Sequence, residues 1–253
     1  MEKSIHDLED LKATFDELMK QKAIFRGICS REQLLPKIIR DGDYSTKEKY
    51  ILDLFEKYYG VYSETSNHWE FLALAQHYGL ATRLIDFSYN PYVALFFALY
   101  DKEQSGKYEI FVIKKEDYHI IFDSLPVLLE KDENTGDFNL NIKALQEKGT
   151  FSKRIMDEFQ TLHEKTGILA IRPNYKDLRM LMQQGLFVVP SILQAELIND
   201  TFIKNATIIT IDPSLRNEAL SFLDKLGFNE LRLMPDLESL CREINHRVKE
   251  KII

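Results

Sequence analysis

The chain has 253 residues, 45% of them hydrophobic and 11% aromatic, enough to bury a sizeable core as one larger domain. Its 33 Lys and Arg stand against 40 Asp and Glu, a formal charge of −7, so the overall balance does not advertise a nucleic-acid binder, although it leaves room for a local basic groove. The cysteines Cys29 and Cys241 lie far apart without metal-ligand spacing, and the charged N-terminus carries no apolar run of signal or membrane length; both point to a reduced, cytoplasmic protein with no membrane contact.

Ile5, Leu8, Leu11, Phe15, Leu18 and Met19 recur at helical spacing, which predicts an amphipathic helix over residues 1–20. "KAIFRG" reads as a short strand running into Arg26 and Gly27, a permanent charge that must be paired or aimed outward. "STKEKYILDLFEKYYG" and "SNHWEFLALAQHYG" are two capped helices, the second stopping at Gly79. "ATRLIDFS" is extended or irregular, Asn90-Pro91 opens the next helix, and "KYEIFVIKK" is a strand buried on both faces. Residues from about 116 to 160 mix charge with helical spacing around "KDENTGD" and read as an inserted helical lobe. "GILAI", "GLFVVPS" and "ATIITI" are further strands; "RPNYKDLRMLMQQ" holds a helix between the first two. Asp212-Pro213 caps a helix ending at Gly227, and a last amphipathic helix follows "MPDLES".

No GxGxxG, GxxxxGK[ST] or GxSxG occurs, and "HEKTG" at His163 lacks the second histidine of a zinc helix, so no metal is expected. The densest polar stretch is "QHYGLATRLIDFS", Gln76 to Ser88, set between two apolar helices; its groups must satisfy one another or bind something. In order along the chain, "FRG", "LLPKIIR", "LAQHYGLATRLIDFSYNPYVALFFA", "RMLMQQGLFVVP" and "LMPDLESL" resemble the FRG-domain family over roughly residues 20 to 240, so the chain reads as a single domain. It departs from the usual pattern in having Ala81 where proline is common and "DFS" where "DWT" is commoner.

A weaker resemblance links "IFRG" and "DFSYNPYVALFF" to ADP-ribosyltransferases of the Arg-Ser-Glu type. That resemblance implies NAD as substrate, gripped at its phosphates or ribose by Arg26 with Gly27 letting the backbone approach, and a protein or nucleic acid as acceptor. Breaking the nicotinamide bond creates a cation on the sugar, which calls for a diphosphate clamp, a hydroxyl to orient the ribose and a carboxylate. Arg26 and Arg83 suit the clamp, Ser88 or Thr82 the ribose, and Gln76, His77 or Tyr78 a ring or hydroxyl. The late glutamate of these transferases is replaced by Gln183-Gln184; Glu196 of "QAE" or Asp86 is the substitute carboxylate.

Structural roles compete with these. Arg83, Asp86 and Arg26 fit a buried ion-pair network, His77 a helix end, Tyr92, Phe96, Phe97 and Tyr100 a core face, and Cys29 a small buried residue. The expected fold is α+β, a central mixed or antiparallel sheet of short strands surrounded by helices as in the ADP-ribosyltransferases. Two functions follow: an NAD-using transferase or hydrolase, with a toxin or phage-defence role implied by the family's bacterial and phage associations, or a nucleotide- or partner-binding module without turnover. A nuclease ranks third, for want of an acidic metal-binding pair.

Overall fold

The computed structural model describes residues 2–42, 44–59, 67–100, 107–123, 130–131, 138–139, 150–162, 168–174 and 178–249. Ten strands occur among them: β1 (Glu2–Ile5), β2 (Ile24–Ile28), β3 (Ile85–Ser88), β4 (Tyr108–Ile113), β5 (Tyr118–Asp123), β6 (Glu130–Lys131), β7 (Phe138–Asn139), β8 (Ile168–Arg172), β9 (Gly185–Val189) and β10 (Thr207–Ile211). Eight form one mixed sheet in the order β1-β10-β4-β2-β3-β9-β8-β5, antiparallel except for the outermost pair at each edge; β6 and β7 make a separate ladder. The class is α+β with a central mixed sheet, as expected from the sequence.

Helices cover both faces. On one face, α1 (Leu8–Lys20), α5 (Pro91–Tyr100) and α9 (Arg216–Lys225) bury Phe15, Leu95 and Leu223 against Phe25, Ile110 and Ile209. A second core lies on α3 (Glu48–Tyr59), α4 (His68–His77) and α6 (Phe151–Leu162), where Phe71 and Phe159 meet Ile171, Phe187 and Val189. Phe25 pairs with Ser88 and Asp86 with Phe187, so strand alternation puts both cores on the same side of the sheet. A third core covers the opposite side, where α8 (Ala195–Asn205) sets Phe202 against Phe87 and Phe111. Each such side chain contributes about 1.5–3 kcal/mol through removal from water.

Two expectations need revision, over residues 1–20 and 116–160. The first twenty residues are not one helix: Ile5 ends β1, which pairs parallel with β10, and α1 begins only after Asp7, whose extended backbone and carboxylate cap the amides of Glu9 and Asp10. Ile5 still enters the core, which is why the helical period ran through it. "ATRLIDFS", extended as read from the sequence, supplies β3, a central strand. Both described ends of the segment from 116 to 160 belong to the main body: β5 pairs with β8 at the sheet edge, and α6 packs on α3 and α4; residues 124–129, 132–137 and 140–149, like His163, lie outside the described residues. The "QAE" glutamate lies past β9, on the first turn of α8, which begins at Ala195. The remaining described helices are α2 (Lys37–Arg40), α7 (Leu178–Gln183), α10 (Glu230–Leu233) and α11 (Leu237–Lys249); no helix among the described residues is long and apolar enough to cross a membrane.

Candidate functional site

The central strands β2 and β3 are joined at a single pair, Phe25 with Ser88, whereas β2 pairs with β4 along its whole length and β3 does the same with β9. The sheet therefore forks at its centre. Arg26 spans the opening: its Nη1 donates to the Asp86 carbonyl at 2.6 Å, replacing a ladder hydrogen bond, while Nε and Nη2 donate to the Gln33 carbonyl at 3.1 and 2.6 Å. Those three bonds hold the guanidinium by backbone acceptors and leave two of its five N–H groups for a ligand. Burial, opposed by Asp86 and reinforced by Arg40, pushes the guanidinium down to about 10, so it stays charged at neutral pH.

The fork opens into a cleft of about 450 Å³, within the range of small-molecule sites. Among the described residues, its lining carries the cations Arg26, Lys37, Arg40 and Arg179 and a single carboxylate, Asp86, in a chain of net charge −7. Asp86 is 62% exposed by side chain and stands 3.9 Å from Arg26 Nη1. A directional relay orients it. The Leu84 amide donates to Thr82 Oγ1 at 3.1 Å, the Thr82 hydroxyl donates to Gln76 Oε1 at 2.6 Å, and the Gln76 amide nitrogen then faces the carboxylate at 3.4 Å.

Of the residues expected at the site, Arg26, Gly27, Gln76, His77, Asp86 and Ser88 line this cleft. Arg83 does not. Its Nε donates to Glu48 at 2.8 Å, Nη2 pairs with the second Glu48 oxygen, Nη1 donates to the carbonyls of Pro190 and Ser191, and the plane stacks 3.4 Å from the Phe159 ring. All three nitrogens of that guanidinium donate and one face of its plane is covered. Thr82 is buried beneath Gln76, and Tyr78 stands at the rim, 75% exposed.

Gln184 is a turn residue with φ 48 between α7 and β9; Gln183 lines the cleft in its stead, with its amide bonded to the Leu233 carbonyl at 2.8 Å. Ser88 reaches the cleft with its proton committed to the Gln183 carbonyl at 2.7 Å, which leaves little of it for a ribose. Glu196 is exposed on α8 and outside the cleft. Gly27 has a different reason from the expected one: a Cβ there would overlap the Ala94 carbonyl and lie 2.8 Å from the Ala98 nitrogen, so glycine is required for α5 to sit on β2.

Lys37, Arg40 and Arg179 escaped the sequence reading as site residues, yet they sit inside the quoted motifs "LLPKIIR" and "RMLMQQGLFVVP". Gln33, which anchors Arg26 by a backbone atom, left no side-chain signal to find. No group of His, Cys, Asp and Glu among the described residues could hold a metal ion.

Residues 21–107 match the family model of the FRG domain, a shorter span than the ordered motifs suggest. They supply both strands of the fork, Arg26, Lys37, Arg40 and Asp86, whereas Arg179 and Gln183 come from beyond them. No curated protein and no solved structure matches the chain.

Proposed function

We propose that this chain, which carries an FRG domain at residues 21–107, binds NAD in the fork between β2 and β3 and breaks its nicotinamide–ribose bond, passing ADP-ribose to water or to a macromolecule. The reading is carried by Arg26, a buried guanidinium held by the Gln33 and Asp86 carbonyls with two donors left for a diphosphate, at the head of a cationic cleft. Asp86 takes the role that Glu196 is too remote to fill. As the C1′–N bond breaks, nicotinamide leaves with the bonding pair and becomes neutral. Positive charge develops on the ribose, where the carboxylate held by Gln76 offsets it. The acceptor O–H then bonds to C1′ and gives its proton to Asp86 or to solvent. Loss of NAD or modification of a macromolecule would harm the cell that makes the protein, which fits a cytoplasmic toxin or phage-defence effector.

The test is incubation with NAD labelled separately in its nicotinamide and adenylate parts. Nicotinamide release should fall about a hundredfold or more in Arg26→Ala and Asp86→Asn and stay unchanged in Glu196→Gln. One observation favours a second reading, a binding module without turnover: among the described residues the cleft has a single, largely exposed carboxylate. NAD binding that depends on Arg26 without nicotinamide release would establish that module, and absence of NAD binding would end the NAD reading and leave the module only a different ligand or partner.

A further inference from the structure

Among the described residues, local charge in the cleft is opposite in sign to that of the chain, and it exceeds what NAD needs. Arg26 and one further cation match a diphosphate. Lys37 and Arg40 on α2 form one wall and Arg179 on α7 another. Asp41, 3.7 Å from Lys37 Nζ and 3.9 Å from Arg40 Nε, offsets part of the first wall, and Asp236 feels the charge of Arg179; neither aspartate lines the cleft.

At the rim, α4 ends in His77, which lines the cleft, followed by Tyr78, whose ring meets the imidazole edge to face at 4.9 Å. Tyr78 is 75% exposed, too open for a packing role. Cations on two walls beside an open aromatic face are what a strand with unpaired bases requires: phosphates for the first, a base to stack on the second. A duplex hides its base faces, and an acidic peptide has no use for the ring.

We infer that the second reactant at this cleft is a single-stranded nucleic acid, its phosphates on Lys37, Arg40 and Arg179 and one base stacked on Tyr78. The chemistry rests on the NAD reading above; the binding does not. An oxygen or nitrogen of the strand attacks C1′ of the ribose, nicotinamide leaves with the glycosidic pair, and the strand's proton passes to Asp86 or solvent.

The experiment is fluorescence anisotropy of an end-labelled single-stranded oligonucleotide with the full chain, without NAD, across a salt series. Saturable binding is expected at low salt. Tyr78→Ala should weaken it about tenfold, and the Lys37→Ala/Arg40→Ala/Arg179→Ala variant should flatten the log Kd against log salt slope by about 2. Lys225→Ala, an exposed position on α9 outside the cleft, should bind as the parent does. No binding at low salt, wild-type affinity in both cleft variants, or equal competition by the matching duplex would overturn the inference. With labelled NAD added, adenylate label on the strand supports it, and label on protein acceptors alone overturns it. Strand binding with these dependencies but no nicotinamide release would sink the NAD chemistry and leave the binding site standing.

Discussion

Arg83 and Arg26 lie in segments of similar polarity and have opposite fates. Arg83 is bidentate with Glu48, caps two carbonyls and is 5% exposed; the pair fastens α3 to the segment before β3 and to the turn after β9. Removing one partner leaves an uncompensated buried charge, so Arg83→Met should cost about 3–5 kcal/mol, or about 10 °C in Tm for a chain of this size. Arg83→Met combined with Glu48→Leu should recover most of that loss, and denaturant unfolding of both variants measures it. If the double variant is no better than the single one, the carbonyl bonds rather than the ion pair hold this corner. The sequence placed both arginines at a site because charge next to apolar runs demands a partner; it carried no sign that the partner of Arg83 was Glu48, 35 positions away.

Element boundaries decided which late residue faces the cleft. Helix α7 is followed by Gln184, whose amide donates to the Leu181 carbonyl and whose carbonyl accepts from the Tyr89 amide, with φ 48, a left-handed conformation that costs a side-chain-bearing residue energy. Gln184→Gly should therefore raise stability by about 0.5–1 kcal/mol, the relief of strain exceeding glycine's added entropy when unfolded. Thermal unfolding reads this directly; a fall in Tm would mean that the Gln184 side chain makes a contact worth more than the strain. Cap signals were legible at this scale: Asn67 and Asn90 start α4 and α5, and Gly79 and Gly227 adopt positive φ after α4 and α9. Strand β3 was harder to see, because Asp86 and Ser88 alternate with Ile85 and Phe87 in a stretch that turn and strand chemistry describe equally well.

At the scale of the molecule, the forked sheet separates two cores on one face while a single core spans the other. With one backbone pair and one guanidinium across the fork, the Asp86–Ser88 amides should exchange with deuterium faster than those of Ile208–Ile211, which are flanked by β1 and β4. A ligand bridging Arg26 and the α7 wall should slow them. Equal exchange in the two segments would show that the fork is as tight as the rest of the sheet.

What the sequence determined by itself was local: hydrophobic periodicity for most helices and strands, the strand that ends in Arg26, and the ordered motifs, the first of which fall within residues 21–107, the span that matches the FRG-domain model. These signals act over a few residues and need no partner to be read. Tertiary structure decided the rest, because it depends on contacts between distant positions. It turned Arg83 inward to Glu48, kept Glu196 on a remote helix, gave Gly27 to the packing of α5, and gathered Lys37, Arg40 and Arg179 from two separate motifs around Asp86. A charge shows in the sequence; the distance that gives it a partner or a cleft is set only when the sheet is assembled.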